Sequence, residues 1–218
     1  MPPGATDWRL QRFGRLNVKK IEDPLIEPLW IGLPVIVRIG DGQPPTIIDE
    51  WGEPVEDAPE IAAALTAANR ASVLVLDGVL TRTPGSPPVP EPVGPTMAEV
   101  GTQFFIGSMV RRRRPAPASA RAAEVASGPL AFVATDVLAV DGESLLDVPL
   151  LERKRILEGV LDEGELVRRT VFVRPPLALW LGTWRSLGFL QVAYKAANSR
   201  YLPGEANPAW ATAAIPPR

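Results

Sequence analysis

Short apolar runs separated by Gly, Pro and Asp punctuation dominate the chain, and their spacing predicts a succession of strands with a few helices. Residues 33–39 (Leu-Pro-Val-Ile-Val-Arg-Ile) read as a short buried strand. Asp41-Gly42 is a hairpin signal, and residues 44–50 return as a second strand. Residues 58–68 are rich in Ala and Leu with Pro59 near the start, which suits a helix. The run 72–76 (Ser-Val-Leu-Val-Leu) is a buried strand expected to end at Asp77-Gly78. Residues 97–112 read as a helix carrying Phe104, Phe105 and Met109, and 130–140 as a strand ending at Asp141-Gly142. A helix is expected over 144–161, with apolar positions Leu150, Leu151, Ile156, Leu157, Val160 and Leu161. A strand over 165–173, a helix over 177–187 and a strand over 189–195 complete the pattern. Strands mixed with helices of uneven length, joined in places by hairpin turns, indicate an α+β fold with antiparallel sheets flanked by helices. No internal repeat is visible.

Composition narrows the chemistry more than the fold. The 218 residues include no Cys and no His, so disulfides, thiolate catalysis, the usual neutral-pH general base and the commonest metal ligand are excluded. A net charge of -2 gives no general affinity for nucleic acid or membrane, and 46% hydrophobic residues suffice for a sizeable core. No apolar run reaches the roughly 18 residues of a membrane span, and the first 20 residues lack the apolar core of a signal peptide. A soluble, cytoplasmic protein with no membrane partner is therefore expected. Residues 1–20 are expected to be an N-terminal extension and 21–218 one domain. The 25 prolines cluster, most densely in a loop over 83–95.

Six short motifs in order resemble the adenylation (nucleotidyltransferase) domain of ATP-dependent DNA ligases. Ile26-Glu27-Pro28-Leu29-Trp30-Ile31-Gly32 is similar to the family's E-P-K-W-D-G motif, and 74–80 (Leu-Val-Leu-Asp-Gly-Val-Leu) to its LDGEL. Residues 132–142 resemble the FDLLxLDG region, and 149–154 (Pro-Leu-Leu-Glu-Arg-Lys) follow as PLLERR does. Residues 188–195 align with GxEGVVxK, and 198–204 look like DSxYxPG, with Trp210 where WxKxK begins. The resemblance runs from about Ile26 to Trp210. It implies the DNA-ligase, ATP-grasp-like nucleotidyltransferase fold and DNA repair as a setting; ligases continue from there into an OB-fold domain, and no OB-fold domain is expected in this sequence.

The departures fall on the residues that carry the family's chemistry. Leu29 stands at the nucleophilic lysine and Ile31 at the aspartate; Pro34 and Glu50 replace two arginines, Val79 the metal-directing glutamate, and Leu190-Gln191 the EG pair. Thr212 and Ala214 replace both lysines of WxKxK. Ligase chemistry begins when that lysine attacks the α-phosphate of ATP, and an isobutyl group has no lone pair to offer. No catalytic residue and no metal ligand is therefore expected, and no cofactor; ATP and Mg²⁺ belong only to the alternative of an active ligase with a displaced nucleophile at Lys19, Lys20 or Lys195. A nucleotide sensor that binds without reacting is a third reading. Because Leu29, Ile31, Val79 and Leu190 are all aliphatic, the old cleft is expected to have closed into core, so that Leu29→Lys destabilises the fold.

Among surviving residues, Glu27 matches an adenine contact and Lys195 a phosphate contact, which makes both candidate nucleotide-binding residues. Isolated in this way, they read more readily as a solvated edge and a surface lysine. Asp77, Asp136 and Asp141 read as turn residues. Arg111, Arg112, Arg113 and Arg114 are the candidate DNA-binding cluster, joined by Arg153-Lys154-Arg155 and Arg168-Arg169. The expected function is a catalytically inactive binding or scaffolding module whose partner is DNA, held weakly, or a protein.

Overall fold

Two antiparallel sheets, packed face to face, set the frame for everything else. In chain order the elements are β1 (Arg12–Phe13), a 3-10 turn (Val18–Lys20), β2 (Pro24–Pro28), β3 (Leu33–Gly40), β4 (Gln43–Asp49), α1 (Pro59–Ala68), β5 (Val73–Thr81) and β6 (Ala131–Val140). There follow β7 (Glu143–Ser144), α2 (Leu150–Val160), β8 (Val167–Arg169), α3 (Ala178–Ser186), β9 (Gln191–Ala196), β10 (Ala206–Asn207) and β11 (Trp210–Ala214). The computed structural model describes residues 8–56, 58–82 and 129–216. The helix expected over 97–112, the proline-rich loop 83–95 and Arg111 to Arg114 lie outside the described residues.

The larger sheet runs β4-β3-β5-β6-β7, with β8 added in parallel to β6. Its outer face carries Val35, Val37, Leu74, Leu76 and Val137, which pack against Ile61 and Leu65 of α1 and Leu157 of α2. Asp41 and Gly42 both adopt positive φ, as the tight turn joining β3 and β4 requires. The smaller sheet runs β11-β9-β2. One of its faces, with Ile26 and Val192, packs on Trp184 of α3 and on Phe189. The other faces the larger sheet, where Leu25 and Trp210 meet Ile36, Val75 and Leu138. No helix among the described residues is long and apolar enough to cross a membrane.

Three element boundaries differ from the sequence reading, each for a local reason. β5 does not stop at Asp77-Gly78 but continues to Thr81. A side chain at Gly78 would collide with the Phe132 ring of the neighbouring strand, so this glycine serves a close approach and not a turn. α2 begins at Leu150, not at 144, because Glu143–Ser144 returns as a strand and Pro149 stands at the N-cap. Of the strand expected over 165–173, only Val167–Arg169 pairs with β6, and Val173 bridges Ile26 alone.

Candidate functional site

Cross-strand register lines up the motif residues on the inward face of the smaller sheet. Leu25, Lys195 and Trp210 form one row, Glu27, Ala193 and Thr212 the next. Leu29 follows two residues beyond Glu27, its N–H donating to the Gln191 carbonyl at 3.0 Å. Side chains two apart share a face, so these rows form one surface that runs from buried to open. Glu27, Lys195 and Trp210 are buried, whereas Gln191, Thr212 and Ala214 are exposed.

At the buried end stand charges, not hydrocarbon. Glu27 is 2% exposed and Lys195 3%. The Glu27 carboxylate takes Lys154 Nζ on Oε1 at 2.5 Å and Lys195 Nζ on Oε2 at 2.9 Å. Lys154 also donates to the Thr135 carbonyl at 2.6 Å, and Lys195 lies 4.2 Å from the centroid of the Trp210 ring. Burial alone would raise the Glu27 carboxyl, but the two ammonium groups outweigh it and hold it below the ordinary range. Burial draws the Lys154 ammonium down by taking it out of water, the Glu27 charge opposes this, and the neighbouring Lys195 charge adds to it.

Beside this triad, Asp136 and Arg153 form a second buried pair. Arg153 Nε donates to Oδ1 at 2.9 Å and Nη2 to Oδ2 at 2.7 Å, a two-point contact that fixes the planes of both groups. The third carboxylate, Asp77, accepts the Tyr201 hydroxyl at 2.7 Å and the Thr135 hydroxyl at 3.0 Å. Among the described residues, every buried acidic or basic side chain except Asp49 belongs to this cluster. It balances three cations against three carboxylates, which is how so much charge is tolerated away from water.

Asp77 gives the cluster a pH signature. Burial is the largest influence on its carboxyl and raises it from 3.8 to about 6, against the hydrogen bond from Tyr201 and the charge of Lys195. The folded state thus favours protonated Asp77; its contribution is complete below pH 3.8 and is lost as pH rises through 6. The full shift corresponds to about 3 kcal/mol. Asp77→Asn should therefore gain on the parent by up to that amount between pH 4 and pH 7, as urea melts across the range would measure. A stability difference that stays constant over those pH values would show that Asp77 does not titrate there.

The structure corrects several expectations. Asp77 and Asp136 lie in mid-strand and are buried, so neither is a turn residue; Asp141 is one, at φ 51°. Glu27 and Lys195 are neither a solvated edge nor a surface lysine, since each neutralises the other. The aliphatic replacements have not become core. Ile31 is 43% exposed and Leu190 46%, while Leu29 and Val79 are half-buried. Leu29 is half-buried two residues before exposed Ile31, so a lysine at position 29 reaches water and Leu29→Lys is not expected to destabilise the fold. Pro34 is exposed beside Val79 in the β3–β5 register, and Glu50 is exposed in the turn after β4. Arg153 and Lys154 are interior residues, leaving only Arg155 of that triplet on the surface.

Arg153, Lys154, Thr135 and Tyr201 were not recognised from the sequence as interior partners of these carboxylates; the first two were read as part of a basic surface. A signal for the first two existed in the helical period. Leu150, Arg153, Lys154 and Leu157 fall on one stripe of α2, and those are its four buried positions.

Neither a family model nor a curated protein matches the chain. Solved structures do. The fold is similar to the ligase domain of LigD from M. tuberculosis, with TM-score 0.64 and 18% identity over 95% of this chain and 59% of that one. Mycobacterial DNA ligase D complexed with ATP gives TM-score 0.62 and 18% identity over 95% and 60% of the two chains. Chlorella virus DNA ligase-adenylate gives 0.53 and 11% over 93% and 64%. The chain thus spans about three fifths of the length of these ligases.

Proposed function

We propose that this chain, which has the nucleotidyltransferase fold of ATP-dependent DNA ligases, does not adenylate itself and serves as a binding module, with DNA repair as its setting. The observation that carries this reading is the Glu27 carboxylate. At the foot of the motif where the ligase reaction would begin, it is occupied on both oxygens by Lys154 and Lys195. The next inward-facing position is Leu29, which offers neither nucleophile nor charge.

ATP and Mg²⁺ do not fit the residues present. The cations that would hold a triphosphate are replaced by Thr212 and Ala214 on this same face, and the carboxylate that would direct a metal by Val79. Among the described residues no three acidic side chains converge as metal ligands would. No step is therefore derived through either group.

One feature favours a nucleotide sensor over a module indifferent to nucleotide, namely that Ile31, within the motif itself, is exposed to solvent. Thermal melts with and without ATP and Mg²⁺ separate the two. A ligand at 100 times its Kd adds about 2.7 kcal/mol of stability. The binding-module reading expects no shift at millimolar ATP, and a saturable rise in melting temperature would establish the sensor.

A further inference from the structure

The outer strands of the two sheets are not equally protected. β2 exchanges bonds with Val173, the Ile26 N–H donating to the Val173 carbonyl at 2.8 Å and the Val173 N–H to the Ile26 carbonyl at 2.9 Å, and it carries Pro24 and Pro28. β4 holds Pro44 and Pro45, and its Ile47 carbonyl takes the Val55 N–H at 2.9 Å. Prolines and bridging segments keep an exposed edge from pairing with another chain. β11 has no proline, and residues 209–217 hold no charged side chain. Only its first residue is bridged, by the Gly14 N–H on the Trp210 carbonyl at 2.9 Å.

The ladder with β9 fixes where the remaining backbone groups point. The Ala196 N–H donates to the Ala209 carbonyl at 3.0 Å, and the Ile215 N–H to the Leu190 carbonyl at 2.8 Å. In an antiparallel pair such bonds recur at every second residue, so Ala211 and Ala213 also bond to β9. Trp210, Thr212 and Ala214 are the alternate positions, whose N–H and C=O point away from β9. Thr212 and Ala214 are exposed, and among the described residues their backbone groups have no partner. The side chain of Ala213 packs toward α3, with Trp184 and Ile215.

We infer that β11 is a self-association edge, pairing antiparallel with β11 of a second copy of this chain across a two-fold axis at Ala213. In that register Thr212 stands opposite Ala214 of the second copy, and each open N–H meets an open C=O. Pro216, which has no N–H, falls opposite Trp210, whose carbonyl is already taken, so no donor is missing there. The lack of charge matters because like charges set opposite each other would resist the pairing. A second copy suits this edge better than a free extended peptide, since its strand is already held straight by β9 and loses no chain entropy on pairing. The two three-stranded sheets then become one, with α3 on the same face in both copies. The paired stretch is short, so the contact falls below the roughly 1,200 Å² of stable interfaces and association belongs at high protein concentration. This inference goes beyond the reading of the nucleotide site and does not depend on it.

The test is sedimentation velocity on the full chain over a wide concentration series, with cysteine cross-linking to fix the register. The parent's mass should rise from 23.5 kDa toward twice that value as concentration rises. Thr212→Pro removes a donor that only the pairing uses, and Ala214→Lys places a charge on the edge. Both should hold the monomer mass at every concentration, with circular dichroism unchanged. The chain has no cysteine, so a single introduced one reports alone. Ala213 would face its own copy as a non-hydrogen-bonded pair, with Cα atoms about 4.5 Å apart and within reach of a disulfide. Thr212 would lie diagonally from its own copy, at about 7–8 Å. In a glutathione redox buffer, Ala213→Cys should therefore form a linked dimer about tenfold faster than Thr212→Cys. Monomer mass for the parent throughout, or association that survives both edge variants, would overturn the pairing. Cross-linking that is equal at the two positions, or faster at 212, would overturn the two-fold at Ala213.

Discussion

Arg153→Ala should be the most damaging single substitution in the described part of this protein, at about 3–5 kcal/mol. The Arg153 guanidinium is fully buried and joins three segments. It makes the two-point contact to Asp136 on β6, and Nη1 donates to the carbonyls of Val148 at 2.5 Å and Ser199 at 3.1 Å. Truncation strands the Asp136 charge in a dry interior, leaves two carbonyls short of a donor and opens a void. Asp136→Leu combined with Arg153→Met should recover at least half of the loss, because an apolar pair carries no stranded charge. Urea denaturation of parent, single and double variants measures both steps. A single variant costing under about 1 kcal/mol would mean that the pair is not the closed, desolvated contact described above.

Glu27→Gln should follow at a similar magnitude, about 3–5 kcal/mol, by leaving two buried ammonium groups without the one carboxylate that pairs with both. The direction of its pH dependence is diagnostic. A lysine whose folded value is depressed binds fewer protons folded than unfolded, so stability rises with pH. Burial already draws Lys154 below its ordinary 10.5, and removing the Glu27 charge removes the main influence opposing that shift. The variant should therefore regain stability between pH 7 and 10 more steeply than the parent. Denaturation midpoints at three pH values would show it, and parallel profiles would mean that the lysines find other partners.

These two predictions concern residues whose roles were only partly legible in the sequence. The strands around Leu33 and Leu130 were readable because continuous β-branched and aliphatic runs bounded by Asp-Gly turns have few other solutions. The smaller sheet was harder to see. β2 is bracketed by Pro24 and Pro28, which are compatible with an edge strand but depress any propensity-based reading. β11 is five residues of mostly Ala and Thr, with almost no pattern of its own. The motif order pointed to the ligase fold, and the similar solved structures bear that out.

The candidate site was legible in identity and not in state. Substitutions at Leu29, Ile31, Val79 and Leu190 are plain in the sequence, but whether aliphatic residues seal a cleft or line its rim depends on how far the two sheets approach. Between the sheets lie both the charged cluster and the apolar contact of Leu25 and Trp210 with Ile36, Val75 and Leu138. Glu27 and Lys195 looked isolated because their common partner, Lys154, sits on a helix more than a hundred residues from Glu27 and within a triplet that reads as a solvated basic run. A helical wheel anchored on Leu150 and Leu157 turns that lysine inward. Tyr201 and Thr135 carry no such signal, since a single hydroxyl closing on a buried carboxylate is a purely tertiary event.

The most direct measurement is intact mass after incubation with ATP and Mg²⁺ or Mn²⁺, on the parent and on Leu29→Lys. The chain has four lysines, of which Lys154 and Lys195 are buried on Glu27 and Lys19 and Lys20 lie on the exposed 3-10 turn. The account predicts the unmodified mass for both proteins, because restoring the nucleophile restores neither the Val79 carboxylate position nor the cations lost at Thr212 and Ala214. A stoichiometric AMP adduct on any lysine of the parent would contradict it.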